Sequence, residues 1–435
     1  MQIQQLYQLY LQHPVISTDT RKIARGSMFF ALKGDKFDAN TFAQQALEAG
    51  AAYAVIDNAD FKTDDRCILV DDVLSTLQDL ARHHRRQLQI PVIGLTGTNG
   101  KTTTKELINA VLSQQFNTLA TQGNLNNHIG VPLTILSIKP EHEMAVIEMG
   151  ANHQKEIELL CTIAQPSHGL ITNVGKAHLE GFGGVEGVKK GKGELYDYLK
   201  ASGGVAFVHA DSMALLEMQE TRDLENVVYY GTKSLLNTVI GTLTSNAPFL
   251  SLAWGKQNTP TQYAVNSQLT GEYNLPNILA AICIGDYFKL NPEQINQGIT
   301  EYQPKNNRSQ IVKTATNTLI CDYYNANPSS MVVAIDNLAK MQAAHKVMIL
   351  GDMFEMGLEA AAEHEAIIKI ALETVANSYI FIGEEFYLQR QNYQATFYRT
   401  AEEAIAALQT VPITNSTVLI KGSRGMALER LVQFL

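Results

Sequence analysis

The sequence predicts an α/β protein with three domains. At 435 residues the chain exceeds what one ordinary hydrophobic core holds, and its length alone suggests about three domains. Short apolar runs alternate with segments of helical spacing through the middle and the end of the chain, which is typical of mostly parallel sheets. A glycine-rich loop, residues 96–104, lies between one apolar run and a helix and predicts a phosphate-binding site.

The composition is that of an ordinary globular protein, and it excludes some function classes. Hydrophobic residues make up 45% of the chain and charged residues 18%, and the formal net charge is −9. Because no basic run or aromatic-basic stripe stands out, nucleic acid is not an expected partner. The one basic cluster, residues 82–86, is expected on an exposed helix face near a domain boundary.

Cysteine usage and hydropathy predict a cytoplasmic protein. The chain has no secretion-signal pattern at its start and no stretch approaching ~18 apolar residues, so we expect no membrane insertion. The cysteines are widely spread and lack metal-site spacing, which favours buried free thiols. They are Cys67, Cys161, Cys283 and Cys321.

Residues 1–84 predict a small α/β domain without catalytic chemistry of its own. Short apolar strands are expected at residues 28–32, 54–56 and 68–70, with helical spacing before, between and after them. The polar loop Ser17-Thr18-Asp19-Thr20-Arg21 is able to hold an anionic or nucleotide-like group, with Arg21 as the phosphate partner. A plain turn with a surface arginine explains the same residues equally well.

The chain is organised around residues 92–112. The run from Val92 to Leu95 predicts a buried strand, and residues 105–112 have helical spacing. Between them, the loop N–H groups and the helix N-terminus suit a phosphate anion. Lys101 adds a mobile positive charge, and Thr102 is able to place its hydroxyl on a magnesium ion shared with the phosphates.

The spacing of this loop departs from the strict P-loop pattern. Leu95 stands where a glycine is expected, and Gly94 lies one residue too far from Gly100. A tight strand-to-helix turn is the simpler alternative, but such a turn does not need Lys-Thr directly after its last glycine. The stretch therefore predicts a central mononucleotide-binding domain that holds a nucleoside triphosphate.

Strand ends of the predicted central sheet carry further candidate residues. Residues 144–147 end at Glu148, and residues 169–174 end shortly before His178. Ligands bind at the carboxyl ends of parallel strands, so both side chains are expected beside the phosphate loop. Glu148 is a hard oxygen ligand for magnesium and His178 a softer, acceptable one. Taken singly, Glu148 is more often a capping or ion-paired residue, and His178 an ordinary loop histidine.

Asparagine-rich segments are candidates for substrate contacts. Residues 123–130 form a polar loop whose amides suit a polyol or sugar, although a turn-rich connector explains it too. Asn274 and Asn277 open an apolar helix and are able to read a purine edge, although N-capping alone explains Asn274. Residues 181–185 are expected to be a flexible link, and the lysines of the helix that follows it are expected to be solvated.

Residues 305–435 predict a second doubly wound sheet, a Rossmann-like domain without a phosphate loop. Its apolar runs at residues 319–322, 346–350, 379–382 and 418–421 alternate with helices. Next to a central domain of residues 85–304, this domain predicts a cleft that closes on its ligands.

The motifs, in their order, resemble those of the Mur ligase family over nearly the whole chain. The loop at residues 96–103 is similar to that family's phosphate loop, including its non-standard glycine spacing. Further family blocks are matched by residues 148–150, 173–179, 192–194 and 271–277, and by Arg308 and Asp322. A finer resemblance, to the type that uses D-alanyl-D-alanine, rests on residues 322–328, 350–353 and 421–425.

The resemblance implies a reaction and a division of labour. The carboxylate of UDP-MurNAc-tripeptide would be joined to the amine of D-Ala-D-Ala, while ATP becomes ADP and phosphate, as a step of peptidoglycan synthesis. Residues 1–84 would bind the uridine end of the UDP-MurNAc-peptide, residues 85–304 would bind ATP, and residues 305–435 would close on ATP and bind the dipeptide. A monomer is the default expectation.

The resemblance also implies roles for single residues. Thr102 and Glu148 would ligate one magnesium ion and His178 a second. Lys192 matches a lysine that carbon dioxide converts to a carbamate in this family, and as a carbamate it would also be a metal ligand. The implied catalytic residues are Lys101, Glu148, His178 and Lys192. The implied ATP contacts are Gly97, Thr98, Asn99, Gly100, Lys101, Thr102, Thr103, Asn274, Asn277, Arg308 and Asp322. The implied substrate contacts are Ser17, Thr18, Arg21, Asn126, Asn127, Asn325, Asn327 and Arg424.

The chain departs from the pattern of that type in two places. Cys321-Asp322 stands where two successive aspartates are usual, and Tyr323 replaces a small polar residue. Asp38-Ala39-Asn40 replaces the usual Asp-Gly-His. These departures concern the ribose and uridine contacts rather than the reaction class.

Two alternative functions remain open at this point. One is another amino acid ligase of the Mur family, or one resembling folylpolyglutamate synthase, which a panel of amine substrates would identify. The other belongs to a different class, a nucleotide-gated binding protein that forms no bond. The grouping of Glu148, His178 and Lys192 disfavours it, since binding alone needs no second metal.

Overall fold

The computed structural model describes residues 1–34, 36–176, 179–246 and 248–435. Three sheets, each dominated by parallel pairing, follow one another along the chain, and helices connect most of their strands. The predicted α/β class is therefore confirmed. No helix in this described part of the chain combines the length and the apolar character that crossing a bilayer requires.

The first part of the chain, up to Gln87, forms a small parallel sheet. Its strands are β1 (Ile16–Ser17), β2 (Met28–Phe30), β3 (Lys33–Gly34), β4 (Phe37–Asp38), β5 (Tyr53–Ile56) and β6 (Cys67–Leu69). Its helices are α1 (Ile3–Gln12), α2 (Ala43–Glu48) and α3 (Val73–Gln87). The sheet order is β1-β2-β5-β6, with β3 and β4 as a separate antiparallel pair.

The basic cluster lies on α3, and the prediction that it is exposed is wrong for two of its members. His84 and Arg85 are buried. The Arg85 guanidinium donates hydrogen bonds to the backbone carbonyls of Leu88, Ala164 and Gln165. These carbonyls replace the water that the guanidinium loses, so the cation is tolerated in the interior. The domain boundary predicted at residue 84 falls inside α3, which continues to Gln87.

The central segment forms the largest sheet. Its strands are β7 (Val92–Thr96), β8 (Thr118–Ala120), β9 (Met144–Glu148), β10 (His168–Ile171), β11 (Val205–His209), β12 (Val227–Gly231), β13 (Val239–Ser245), β14 (Ser251–Lys256) and β15 (Tyr263–Asn266). Its helices are α4 (Lys101–Leu112), α5 (Gly130–Leu136), α6 (Glu156–Ala164), α7 (Leu179–Phe182), α8 (Val185–Ser202), α9 (Met213–Glu220), α10 (Leu275–Tyr287) and α11 (Pro292–Glu301).

The strand order of this sheet positions the site. The order is β15-β14-β13-β12-β11-β10-β7-β9-β8, and the pairing is parallel from β8 to β13. Strand β7 is therefore an interior strand, with β9 on one side and β10 on the other. Leu95 of β7 pairs with Glu148 of β9, and Thr96 pairs with Ile171 of β10. The three strand ends thus meet at one edge of the sheet.

One connection in this segment differs from the prediction. The flexible link was expected at residues 181–185, but residues 181 and 182 belong to the short helix α7 and residue 185 begins α8. Phe182 is buried and contacts the following helix, which gives this segment an apolar anchor. The change of direction into α8 is made by Gly183 and Gly184, whose φ angles of 74° and 101° favour glycine.

The last segment forms a second α/β sheet, as predicted. Its strands are β16 (Gln310–Lys313), β17 (Thr318–Asp322), β18 (Lys346–Gly351), β19 (Ser378–Ile382), β20 (Thr396–Tyr398) and β21 (Thr417–Lys421). Its helices are α12 (Pro328–Lys340), α13 (Ala360–Glu373), α14 (Glu384–Leu388) and α15 (Ala401–Thr410). The order is β16-β17-β21-β18-β19-β20, parallel except for β16. The predicted boundary at residue 304 lies between α11 and β16.

Candidate active site

The loop between β7 and α4 has the backbone geometry of an anion cradle. Gly97 and Gly100 have φ angles of 144° and 78°, which side chains with a Cβ atom rarely adopt. A Cβ atom at Gly100 would also lie 2.9 Å from Asn277 Oδ1. The loop leads into the N-terminus of α4, so its N–H groups and the helix dipole favour a phosphate.

The Lys101 side chain folds back over this loop. Its Nζ atom donates hydrogen bonds to the carbonyls of Gly97, at 2.7 Å, and Thr98, at 3.1 Å. Desolvation lowers the pKa of Lys101 to about 8, a shift that Glu148 opposes and Arg308 adds to. An anion bound in the cradle would raise this pKa and favour the charged form further, because it adds a counter-charge beside the ammonium group.

The segment after β10 supports the loop, and sequence reasoning assigned it no such role. Asn173 Oδ1 accepts a hydrogen bond from the Asn99 N–H at 2.9 Å, and Asn173 Nδ2 donates to the Asn99 carbonyl at 3.0 Å. The Thr172 hydroxyl donates to the same carbonyl at 2.6 Å. The sequence did contain one indication of this supporting role, because Thr172 and Asn173 directly follow β10, the strand that pairs with β7.

Glu148 lies directly beside the cradle. It is buried, and its carboxylate accepts hydrogen bonds from the Thr102 hydroxyl at 2.9 Å and the Asn126 amide at 2.8 Å. The Glu148 N–H donates to the Thr121 hydroxyl at 3.0 Å, which fixes the backbone of the residue. A buried carboxylate and a threonine hydroxyl in contact form a set of hard oxygen ligands, which is what magnesium prefers.

Lys192, on α8, is buried, so the expectation that the lysines of this helix are solvated is wrong for this residue. Its Nζ atom donates to the Ala151 carbonyl at 3.0 Å and lies 4.9 Å from the centre of the Phe182 ring. Burial holds the pKa of Lys192 well below its usual range, and the charge of Lys101 lowers it further. A neutral amine is the form that reacts with carbon dioxide, so Lys192 fits a carbamate.

Asn274 and Asn277 lie below the cradle, and their amides are already paired. Asn277 Oδ1 accepts from the Thr104 hydroxyl at 3.0 Å, and Asn277 Nδ2 donates to Asn274 Oδ1 at 2.9 Å. Asn274 Nδ2 donates to the Thr270 carbonyl at 2.8 Å. The pair therefore joins α4 to α10, while both residues also border the cavity.

The last segment brings charged residues to the opposite side of the cavity. The Arg308 guanidinium lies 3.9 Å from the centre of the Tyr324 ring. Asp322 accepts hydrogen bonds from Lys421 Nζ at 2.7 Å and from the Ser309 N–H at 3.1 Å. The Asp322–Lys421 ion pair joins the carboxyl ends of β17 and β21.

These groups enclose one cavity of about 750 Å³. On the side of the central segment, the cavity is bordered by phosphate-loop residues, Glu148, Asn173 and Asn126. On the side of the last segment, it is bordered by Arg308, Asp322 and Lys421. Direct contacts close it: the Asn327 amide donates to Asn99 Oδ1 at 2.8 Å, and the Tyr273 hydroxyl contacts Ser309 Oγ at 2.5 Å. A neighbouring cavity of about 220 Å³ is bordered by Asn325, Asn327 and Arg424.

Some of the sequence-predicted residues lie elsewhere. Ser17, Thr18 and Arg21 do not border this cavity within the described ranges, and Arg21 forms a 2.8 Å ion pair with Asp19 at the surface. Asn127 does border it, and its Oδ1 accepts from the Gly130 N–H at the start of α5. Gly97, Thr102 and Lys192 are not among the described residues that border the cavity, whereas Thr103 is.

Thr102, Glu148 and His178 are the side chains predicted to bind magnesium. His178 lies outside the described residues. Across the described ranges, no group of three or more His, Cys, Asp or Glu side chains is gathered closely enough to hold a metal ion. Thr102 and Glu148 remain in contact, and their oxygen atoms fit magnesium.

The fold and the cavity together define a class of protein. A phosphate cradle on a parallel sheet, a buried carboxylate beside it and a second α/β unit over the same cavity are the features of a nucleotide-dependent enzyme that works between domains. Three family models, "Mur ligase family, catalytic domain", "Mur ligase middle domain" and "Mur ligase, glutamate ligase domain", match residues 14–91, 95–285 and 307–424.

Curated relatives and a solved structure indicate the same family as the family models do. The chain is 35% identical to the UDP-N-acetylmuramoyl-tripeptide–D-alanyl-D-alanine ligase of Escherichia coli, over 97% of this chain and 93% of that protein. It is 33% identical to the ligase of the same name from Bacillus subtilis, over 97% and 92%. A crystal structure of MurF from Acinetobacter baumannii superposes with a TM-score of 0.86 at 32% identity, covering 96% and 92%. The chain belongs to the Mur ligase family and is an ATP-dependent ligase.

Proposed function

We propose that this enzyme joins D-alanyl-D-alanine to UDP-N-acetylmuramoyl-tripeptide, forming UDP-N-acetylmuramoyl-pentapeptide, ADP and phosphate in peptidoglycan synthesis. The names and near full-length similarity of the relatives support this substrate pair. The observation that carries the proposal is the single cavity in which the phosphate loop, Glu148 and Arg308 face one another. A site that only held a nucleotide would not need residues from both α/β units around its phosphate end.

The chemistry requires activation of a carboxylate. A carboxylate does not react with an amine at neutral pH, because oxide is a very poor leaving group. Transfer of the ATP γ-phosphoryl group to the tripeptide carboxylate forms an acyl phosphate and ADP. The deprotonated dipeptide amine then attacks the acyl carbon, a tetrahedral oxyanion forms, and phosphate departs as the amide bond is completed.

Phosphoryl transfer depends on positioning and charge neutralisation rather than covalent help from the protein. Lys101 and the loop N–H groups would hold the β- and γ-phosphates. Arg308 would neutralise charge from the opposite side, since its guanidinium borders the same cavity and lies on the Tyr324 ring. Gly97, Thr98, Asn99, Gly100 and Thr103 would form the rest of the cradle.

Magnesium fits the oxygen atoms of Thr102 and Glu148, and we propose these two residues and His178 as its ligands, for two ions. When bound, magnesium neutralises phosphate charge and polarises the transferred group. The Asn126 amide, which donates to Glu148 at 2.8 Å, would keep the carboxylate oriented toward the loop. Lys192 would carry the carbamate, an anion in place of its ammonium, on the same side of the cavity.

The proposal also assigns contacts to the remaining side chains. Asn274 and Asn277 would border the adenine, and Asp322 would accept from the ribose. Asn126 and Asn127 border the cavity and would contact the tripeptide, and Ser17, Thr18 and Arg21 would hold the uridine end in the first domain. Arg424 is a cation beside the smaller cavity, so we assign it, with Asn325 and Asn327, to the dipeptide.

The organisation that we propose is three domains, residues 1–84, 85–304 and 305–435, working as a cytoplasmic monomer. The parts would bind the nucleotide-sugar peptide, ATP and the dipeptide respectively. Size-exclusion chromatography with light scattering measures the oligomeric state directly, and a dimer mass would contradict this part of the proposal.

The test is a single incubation with ATP, magnesium, UDP-N-acetylmuramoyl-tripeptide and D-alanyl-D-alanine. We expect mass spectrometry to show the pentapeptide product and one ADP for each product molecule. Single amino acids offered in place of the dipeptide, and a folate offered in place of the tripeptide, test the other amide ligases of this superfamily. ATP-dependent binding without product would instead establish the nucleotide-gated binding protein.

A further inference from the structure

The Tyr324 ring contacts two arginine side chains that border different cavities. The guanidinium carbon of Arg308 lies 3.9 Å from the ring centre, and that of Arg424 lies 5.2 Å from it. Arg424 Nη1 also donates to the Tyr324 hydroxyl at 3.4 Å. Arg308 borders the larger cavity and Arg424 the smaller one, so one ring contacts a cation of each.

The backbone holds the ring beside Arg308. The Tyr324 N–H donates to the carbonyl of Asn307, the residue before Arg308, at 3.3 Å. Arg308 Nε is buried and has no hydrogen-bond partner within the described residues. The aromatic face therefore orients the guanidinium without occupying its N–H donors, which stay available for a bound anion. A carboxylate partner would have occupied those donors.

The same arrangement gives a physical route between the two cavities. Two cations on one ring repel each other, and an anion bound by either guanidinium weakens that repulsion. Binding of a phosphate beside Arg308 would therefore favour the orientation of Arg424 that meets a carboxylate. The reverse holds equally, since coupling between two binding sites is reciprocal.

We propose that Tyr324 is a positioning residue that orients Arg308 and Arg424 together and couples the ATP cavity to the dipeptide cavity. This inference rests on the proposed function in one respect, which is the assignment of Arg424 to the dipeptide. Loss of the ring would loosen both guanidinium groups at once. Loss of the hydroxyl alone would affect only the long contact to Arg424.

The test compares three variants by steady-state kinetics. We expect Tyr324→Leu to raise the KM for ATP and the KM for D-alanyl-D-alanine, each by about 5- to 20-fold, as loss of a cation–π contact implies. Tyr324→Phe keeps the ring and should stay within about twofold of the wild type for both. Tyr324 is half-buried, so unchanged thermal melting is expected and would separate this effect from unfolding.

The chain offers a matched control. The Tyr387 ring also contacts two arginines, with Arg390 at 4.3 Å and Arg399 at 4.9 Å from its centre, but Tyr387 borders neither cavity. Tyr387→Leu is expected to leave both KM values unchanged. If it raised them as Tyr324→Leu does, or if Tyr324→Leu raised only one of them, the coupling role of Tyr324 would be refuted.

A binding measurement separates this inference from the proposed function. The affinity for a non-hydrolysable ATP analogue is measured by calorimetry with and without D-alanyl-D-alanine. The dipeptide should strengthen analogue binding in the wild type but not in Tyr324→Leu. If wild-type enzyme forms no product from the dipeptide, the proposed function fails. If it forms product and shows no such coupling, the inference about Tyr324 fails.

Discussion

The side-chain amide of Asn327 donates a 2.8 Å hydrogen bond to Asn99 Oδ1, which joins the last α/β unit to the phosphate loop. Asn327 has a second role, because its Oδ1 accepts from the Ser330 N–H at 2.9 Å and caps α12. One side chain therefore caps the N-terminus of a helix and also reaches the segment that would hold the ATP phosphates. The two roles can be separated by substitution.

We predict that Asn327→Ser weakens ATP binding without destabilising the protein. Serine is a good N-cap residue but is too short to reach Asn99. Loss of one hydrogen bond between the two units should raise the KM for ATP about 5- to 10-fold. Thermal melting should stay close to that of the wild type. Kinetics and calorimetric melting curves measure the two effects.

Asn327→Ala serves as the control for this prediction. It removes the helix cap as well as the contact to Asn99, so it should show the same rise in KM together with about 1 kcal/mol of lost stability. A wild-type KM for ATP in Asn327→Ser would contradict the role of the Asn327–Asn99 contact. The contact with Asn99 would then contribute nothing to ATP binding.

Lys101→Ala and Glu148→Ala should each abolish ADP formation while the fold survives. Lys101 would hold the phosphates, and Glu148 would hold magnesium. Removing one electrostatic group of this kind typically costs ~10²–10³ in rate. Coupled-enzyme detection of ADP measures the loss, and circular dichroism checks the fold. Turnover at the wild-type rate in either variant would refute the assigned role.

Glu148→Gln separates charge from packing at the same position. Glutamine has nearly the same shape and is able to keep hydrogen bonds to Thr102 and Asn126. Because it lacks the negative charge, it should still lose most of the activity and should need more magnesium for what remains. Activity equal to the wild type at low magnesium would show that the charge of Glu148 is not used.

The central part of the site was predictable because it is local. Strand β7, Gly97, Gly100 and Lys101 are close together in sequence, and the positive φ angles of the two glycines are a local property of this loop. The position of Glu148 was also predictable, since a residue at the end of a parallel strand next to β7 must lie at the same edge. Strand-end reasoning therefore found Glu148, whereas the local motif found the phosphate loop.

What could not be predicted depends on contacts between distant parts of the chain. Asn99 and Asn327 are separated by 228 positions, and no local pattern specifies their contact. Lys192 follows other lysines on α8, and its burial depends on Phe182 and the Ala151 carbonyl. Arg85 was expected at the surface for the same reason: the carbonyls that it meets belong to a different helix end.

His168 should make the protein less stable in mild acid. Its ring lies among Phe207, Tyr287 and Phe288 and contacts Ser167 Oγ at 2.9 Å. Burial lowers its pKa to about 4, so the folded protein keeps the ring neutral. Between pH ~6.5 and ~4 the unfolded chain binds more protons, and stability therefore falls as the pH falls through this window.

The variant His168→Phe tests this titration. Phenylalanine suits the aromatic surroundings and cannot be protonated. At pH 4 the wild type should have lost roughly 3 kcal/mol more of its pH 7 stability than the variant has. Urea unfolding at both pH values gives the two differences. Equal losses in the two proteins would show that His168 does not titrate in this range.

The activity should depend on carbon dioxide through Lys192. Burial lowers the pKa of this amine well below the usual range, and the charge of Lys101 adds to the shift, whereas Glu156 and Glu194 oppose it. More of the amine is then neutral near pH 7, and the neutral form attacks carbon dioxide and releases one proton. We predict reduced activity in carbon dioxide-free buffer and recovery on addition of bicarbonate.

Lys105 provides the matched lysine for this prediction. It is as deeply buried as Lys192, but it forms a 2.8 Å ion pair with Glu106 and donates to the Thr121 carbonyl. With ¹³C-bicarbonate, NMR should therefore show one carbamate signal that is absent from Lys192→Met and retained in Lys105→Met. A signal that persists in Lys192→Met would assign the carbamate to another amine. Full activity without carbon dioxide would show that the reaction does not use it.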